Sequence, residues 1–165
     1  IALGRADPVK DFPTLIAALD HAPAVALLLA GPDAAALPDH PRLHKLGARS
    51  DVPALLAASD VVISSSYTEG FSNALAEGMA AGAVPIATAV GDSPRLLGPE
   101  GRLVPARDPR AMGDALQAVA EMAEDARRAS GAAARARIVA HFAVARMAAA
   151  YDALHADLAA RRRPG

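Results

Sequence analysis

The chain has 165 residues, 53% of them apolar and only 3% aromatic, with a net charge of −1 and no cysteine. That length fits one domain with a sizeable core, and the apolar fraction is that of a globular chain rather than a disordered one. Near-neutral charge argues against nucleic-acid binding through bulk electrostatics, and the missing thiols exclude a disulfide framework and thiolate chemistry.

In chain order, short apolar runs at residues 1–3, 25–30, 42–46, 61–64, 84–87 and 102–104 predict strands. Residues 13–19, 52–58, 72–81 and 109–122 predict the helices between them. The run at 42–46 is the weakest, being short and polar at both ends. Two more apolar-rich helices are expected over 125–140 and 144–160, making 123–165 a C-terminal helical segment. Alternation of strand and helix implies parallel strands with right-handed crossovers, hence an α/β, doubly wound, Rossmann-like sheet of about six strands. No linker or internal repeat divides the chain, so 1–165 is expected to be a single domain. The chain opens Ile-Ala-Leu-Gly inside the first expected strand and shows no signal peptide, and it reads as a piece of a longer protein. No apolar run approaches the ~18 residues of a spanning helix. Cytoplasm is the default compartment.

Local signals explain several boundaries. Asp11 before Phe12-Pro13, Ser50 or Asp51 before Pro53, and Asp108 before Pro109 each suit a capped helix start with proline in the first turn. In sheets of this kind, ligands sit beyond the carboxyl ends of the strands. The loops to inspect are therefore 4–11, 30–33, 46–51, 64–73 and 88–95.

The most informative of these runs Ser64-Ser65-Ser66-Tyr67-Thr68-Glu69-Gly70-Phe71-Ser72-Asn73 and leads from a strand into a helix. It is rich in hydroxyls and supplies Gly70, where a backbone can approach a ligand closely. The first-turn N–H groups of the following helix have no intrahelical partners, and its dipole favours an anion, so phosphate is a natural ligand. Glu69 precedes that helix and Glu77 lies within it, with seven residues between them. One carboxylate could meet ligand hydroxyls near the loop and the other farther along the helix. From spacing alone, a solvated Glu69 and a surface Glu77 are an equally good reading.

The flanking residues change that balance. The stretch from Ser65 to Pro85, with Glu69-Gly70-Phe71-Ser72-Asn73 and Glu77-Gly78-Met79-Ala80-Ala81-Gly82, closely resembles the signature of GT-B glycosyltransferases of the group 1 family. Glycogen synthases, sucrose-type synthases and many bacterial transferases of lipid and polysaccharide synthesis are members. The resemblance continues through Asp51-Val52-Pro53, Ser59-Asp60-Val61, Ala89-Val90-Gly91 and Gly101-Arg102-Leu103-Val104-Pro105. Gly4-Arg5 followed by Lys10 is similar to the family's Gly-Arg…Lys element. In all it covers residues 3–119.

The resemblance implies the C-terminal, nucleotide-sugar-binding half of a retaining glycosyltransferase that moves a hexose-type sugar to an acceptor hydroxyl. The N-terminal acceptor domain would be absent from this chain, which alone is expected not to transfer sugar. Arg5 and Lys10 inherit the donor diphosphate, Glu69 the donor sugar and Glu77 the ribose hydroxyls. Gly4, Gly70, Phe71, Ser72 and Asn73 would offer close backbone contact, and Gly47 and Arg49 lie in the loop that meets the base in the family. Which base, UDP, GDP or ADP, the residues do not reveal. The resemblance also implies that the last helix crosses towards the N-terminal domain, leaving apolar surface around Phe142, Met147 and Tyr151 uncovered here.

Three positions depart from the family. Gly31-Pro32-Asp33 replaces the common Gly-x-Gly, Arg95 stands where glutamate is common, and the family's tryptophan is missing from His141-Phe142-Ala143-Val144. The five histidines show no ligand spacing and no Asp-x-Asp pair is present, so neither a metal nor any other cofactor is expected. The tail Arg161-Arg162-Arg163 could touch acidic lipid at the inner membrane face, although a solvated end is the simpler reading. The alternatives are a sugar-nucleotide epimerase or phosphorylase-like enzyme, and a noncatalytic nucleotide-binding module of the same fold. The closely matched glutamate signature favours a transferase.

Overall fold

The computed structural model describes residues 1–161. Six strands form in the order expected: β1 Ala2–Leu3, β2 Leu27–Ala30, β3 Leu43–Gly47, β4 Val61–Ser64, β5 Val84–Thr88 and β6 Arg102–Val104. All pairings are parallel, in two three-stranded sheets ordered β1-β2-β3 and β4-β5-β6. Ile1 joins them: its amine donates to the Val61 carbonyl at 2.7 Å, and its own carbonyl accepts from the Ile63 amide at 3.0 Å. The result is one six-stranded order, β3-β2-β1-β4-β5-β6, which reverses direction between β1 and β4.

Among the described residues six helices pack around this sheet, α1 Phe12–Ala18, α2 Val52–Ala57, α3 Asn73–Ala81, α4 Ser93–Leu97, α5 Pro109–Ala120 and α6 Glu124–His141, and a seventh, α7 Val144–Arg161, follows them without joining the core. The expected double winding is plain in the two buried clusters. Ile63 and Ile86 face Leu15, Leu19, Met112 and Leu116 of the α1–α5 layer. Their neighbours Val62 and Ala87 face Leu56, Leu75, Met79 and Ile138 of the α2–α3–α6 layer. Successive strand residues point to opposite faces, so apolar runs without alternation are what two covered faces require. Small residues bring the layers close: a Cβ on Gly78 would overlap the Val62 side chain, which sets α3 tightly against β4.

The differences from expectation are local. Val25 and Ala26 precede β2 rather than joining it, and Gly47 extends β3 beyond its expected end. A short helix, α4, occupies part of the segment read as loop 88–95. Proline at its start and Arg137 at its end hold it, the guanidinium donating to the carbonyls of Leu96 at 2.9 Å and Arg95 at 2.7 Å. A residue contributed from α6, more than forty positions later, gives no local signal. Of the expected caps, Asp108 accepts from the Ala111 amide at 2.9 Å, whereas Asp11 and Asp51 make no capping bond. Asp11 adopts a left-handed conformation (φ 48°) rather than the extended one of a capping residue.

The last helix has no buried residue, and Val144, Met147, Tyr151, Leu154 and Leu158 form an exposed apolar stripe along it. Spacing of three and four residues puts them on one face. No described helix is long and apolar enough to cross a membrane. Arg162 and Arg163 of the basic tail lie outside the described residues.

Candidate functional site

The strand-order reversal places the carboxyl ends of β1 and β4 side by side, the position at which open α/β sheets bind their ligands. After β1, Gly4 takes a φ of 149° and its amide donates to the Ala30 carbonyl at 3.1 Å. Arg5 follows, exposed and without an ion-pair partner among the described residues. The chain then makes a short 3-10 turn, Pro8–Lys10, whose start is fixed by the Asp7 carboxylate accepting from the Val9 amide at 3.0 Å. Asp7 was not among the expected residues. The Asp-Pro pair that marks the start of α5 at Asp108 also stands at Asp7-Pro8 and could have revealed it.

The β4 loop meets this turn directly. Lys10 Nζ lies 2.6 Å from Glu69 Oε2, joining residues 59 apart in sequence, with both side chains largely shielded. Ser66 donates to the same carboxylate oxygen at 3.3 Å. The Ser65 hydroxyl donates to the Lys10 carbonyl at 2.7 Å, the Tyr67 amide to the Val9 carbonyl at 3.1 Å, and the Thr88 hydroxyl to the Ser66 carbonyl. Ser65, Ser66 and Thr88 are buried. Part of the hydroxyl-rich run that looked available to a ligand is thus spent on joining loops to one another.

Gly91 fixes the far side of the β4 loop. Its φ is 52°, and a Cβ there would overlap the carbonyl oxygen of Glu69, while the next amide, Asp92, donates to the Gly70 carbonyl at 3.0 Å. Only glycine accommodates both the left-handed backbone and that close approach. Glu69 is therefore held from two directions, by Lys10 at its carboxylate and by Gly91 at its carbonyl.

Helix α3 begins beside this cluster. Ser72 caps it in an extended conformation, its hydroxyl accepting from the Leu75 amide at 3.4 Å. That leaves the amides of Asn73 and Ala74 with no intrahelical acceptor, and the positive end of the helix dipole faces outward. Gly70, Phe71 and Asn73 are exposed, as is Glu77 one turn into the helix. Lys10, Glu69 and Gly70 are thus brought together, with Gly4 against Lys10. Gly47 ends the neighbouring β3, its carbonyl accepting from Gly31 at 2.8 Å.

Arg49 pairs with Asp51 at the surface. It grips Asp51 through two hydrogen bonds of 2.8 and 2.6 Å. This pairing raises the guanidinium's pKa above its ordinary value and lowers that of Asp51. It also explains why Asp51 fails to cap α2. Among the described residues no three His, Asp or Glu side chains converge. A cavity of about 400 Å³ beneath Ile1, lined by Val25, Ser59, Asp60 and Arg127, lies at the opposite end of the sheet from all of these groups.

The profile of the family described as "Glycosyl transferases group 1" matches residues 1–122. The chain belongs to that family. Solved glycosyltransferases share the fold. Sucrose-phosphate synthase of Thermosynechococcus elongatus is 30% identical with a TM-score of 0.83, over 97% of this chain and 45% of its own. HepE of Anabaena, solved with UDP and glucose, is 24% identical with a TM-score of 0.82, over 94% of this chain and 47% of its own. A glycosyltransferase of Rickettsia africae is 22% identical with a TM-score of 0.72, over 87% and 43%. The chain spans less than half the length of each. No curated protein sequence matches it significantly.

Proposed function

We propose that this chain is the donor-binding domain of a retaining, metal-independent glycosyltransferase that transfers a hexose-type sugar from a nucleotide diphosphate to an acceptor hydroxyl. The observation that carries the reading is the contact of Lys10 with Glu69 at the strand-order reversal, flanked by the unpaired Arg5 and the open N-terminus of α3. Such a site offers two cations and two free amides to a diphosphate, and a carboxylate beside them to a sugar.

Arg5 and Lys10 would stabilise the charge that grows on the departing nucleotide diphosphate as the bond to the anomeric carbon breaks. Glu69 would face the sugar and support its developing positive charge. Glu77 would hold the ribose hydroxyls, and the loop ending at Gly47 would meet the base. The similar Anabaena structures, one with UDP and one with UDP-glucose, make UDP the first nucleotide to try. Sugar transfer would also need an N-terminal domain to complete the site and orient the acceptor, because holding both reactants in a reactive geometry supplies up to roughly 7–11 kcal/mol.

Calorimetric titration of the chain with UDP, GDP and ADP, each with and without EDTA, tests this. Saturable binding of one nucleotide, undiminished by EDTA, is expected. Failure of all three to bind would refute the donor-site reading, and binding abolished by EDTA would refute metal independence.

A further inference from the structure

A second cavity, of about 560 Å³, opens on the other side of the Phe71–Asn73 segment, between the start of α4 and the junction of α6 with α7. Its size is in the range of small-molecule sites. Phe71 and Phe142 form its aromatic wall, with ring centroids 5.7 Å apart and planes inclined at 42°. Arg95 stands over the Phe142 ring at 5.7 Å. Arg146 and His141 complete the polar lining, Met147 and Val144 the apolar lining, and among the described residues no carboxylate lines it.

Two departures from the family meet at this place. Arg95 puts a cation where a glutamate is common, and the family's tryptophan is missing from residues 141–144. The nearest acid, Asp92, is 3.8 Å from Arg95 with both side chains well exposed, an ion pair too weak to withdraw the guanidinium from a ligand. Asn73 and Phe71 belong both to this wall and to the segment that flanks the proposed donor site, so a ligand here would sit next to the donor.

We infer that the Arg95–Phe142–Arg146 cavity is a binding site for an anionic group joined to a flat or apolar body, as in an acceptor bearing a phosphate beside a hydrophobic portion. Charge complementarity selects the anion, since two guanidinium groups face the cavity without a lining carboxylate. The aromatic wall selects the apolar part. Describing the ligand as an acceptor rests on the donor-domain reading, whereas the site itself rests on the cavity alone.

The probe is 1-naphthyl phosphate, titrated into the chain by calorimetry or NMR beside 1-naphthol and inorganic phosphate, with UDP binding measured on the same samples. The naphthyl phosphate should bind saturably in the millimolar range or below, more tightly than either half, and without displacing UDP. Arg95→Glu should weaken it by about tenfold or more, the effect of trading a charge-assisted contact for repulsion. Val144→Trp, a change at an exposed position that removes no charge, should also weaken it by filling the cavity. Both variants should bind UDP as the parent does. Naphthyl phosphate binding that is absent, unaffected by both variants, or competitive with UDP overturns the inference. Failure of UDP alone would instead overturn the donor-domain reading and leave the cavity site standing.

Discussion

Replacing Glu69 by glutamine separates the two interactions that share Lys10. In the unliganded site the ammonium is committed to the Glu69 carboxylate at 2.6 Å, with side-chain exposures of 27% and 18%. A diphosphate arriving at Lys10 must compete with that carboxylate and is repelled by it. A fully exposed pair is worth up to about 1 kcal/mol and a charge-assisted hydrogen bond about 1.5–3 kcal/mol. For a partly shielded pair, the competition is worth about 1–1.4 kcal/mol, or five- to tenfold in affinity. Glu69→Gln keeps the side-chain shape and the Ser66 contact while removing the charge. UDP affinity should therefore rise by about five- to tenfold, while turnover by the full two-domain enzyme should fall. Lys10→Met should weaken UDP and erase the gain from Glu69→Gln when the two are combined. Calorimetry on the four proteins of this cycle reads the result directly. A tenfold loss of UDP affinity in Glu69→Gln would refute the reasoning, because it would mean that the carboxylate organises Lys10 for the diphosphate rather than competing with it.

Three other outcomes can be checked. Glu77→Ala should weaken UDP by on the order of tenfold through lost ribose hydrogen bonds, yet leave the melting temperature unchanged because Glu77 is exposed; equal binding would remove Glu77 from the site. Gly91→Ala should destabilise the chain by about 2 kcal/mol or more, from the left-handed backbone and the overlap with the Glu69 carbonyl, with urea denaturation as the assay and an unchanged midpoint as the contrary result. Burial pushes the Ile1 amine from 8.0 down to about 5, against a smaller opposing effect of Asp60. In a chain with a free amine on Ile1, the unfolded state holds a proton between pH 5 and 8 that the folded state has released, so stability should rise with pH by about 4 kcal/mol across that window. Acetylating the amine should flatten the profile, and a flat profile without acetylation would contradict the burial.

The strand sequence and the two-sided winding were legible because apolar runs without alternation need helices on both faces, and Val62 and Ile63 go to opposite layers as that argument requires. The fold class pointed to the carboxyl ends of the strands and to five loops there, but not to which two strands adjoin. What sequence did not reveal depends on contacts between distant segments. The α4 helix relies on Arg137, and the seat of Glu69 on Gly91 and Lys10. Ser65 and Ser66 carried the right chemistry for a ligand, and only their burial shows that the protein uses it internally. The Phe71–Phe142 wall joins residues 71 positions apart and had no local sign beyond the unusual Arg95.

The two halves of the sheet meet at Ile1 and β4. Ile1 bridges this seam through one bond to Val61 and one from Ile63, and directly above it Lys10 and Glu69 form the only ion pair between the β1 and β4 loops among the described residues. A ligand held by Arg5 and Lys10 on one lip and by Gly70 and Asn73 on the other would fasten the sheet halves together from the top. The Ile63 amide, bonded to Ile1 across the seam, would then serve as a gauge of occupancy: its exchange with solvent deuterium would slow when the ligand binds, although the ligand makes no bond to it.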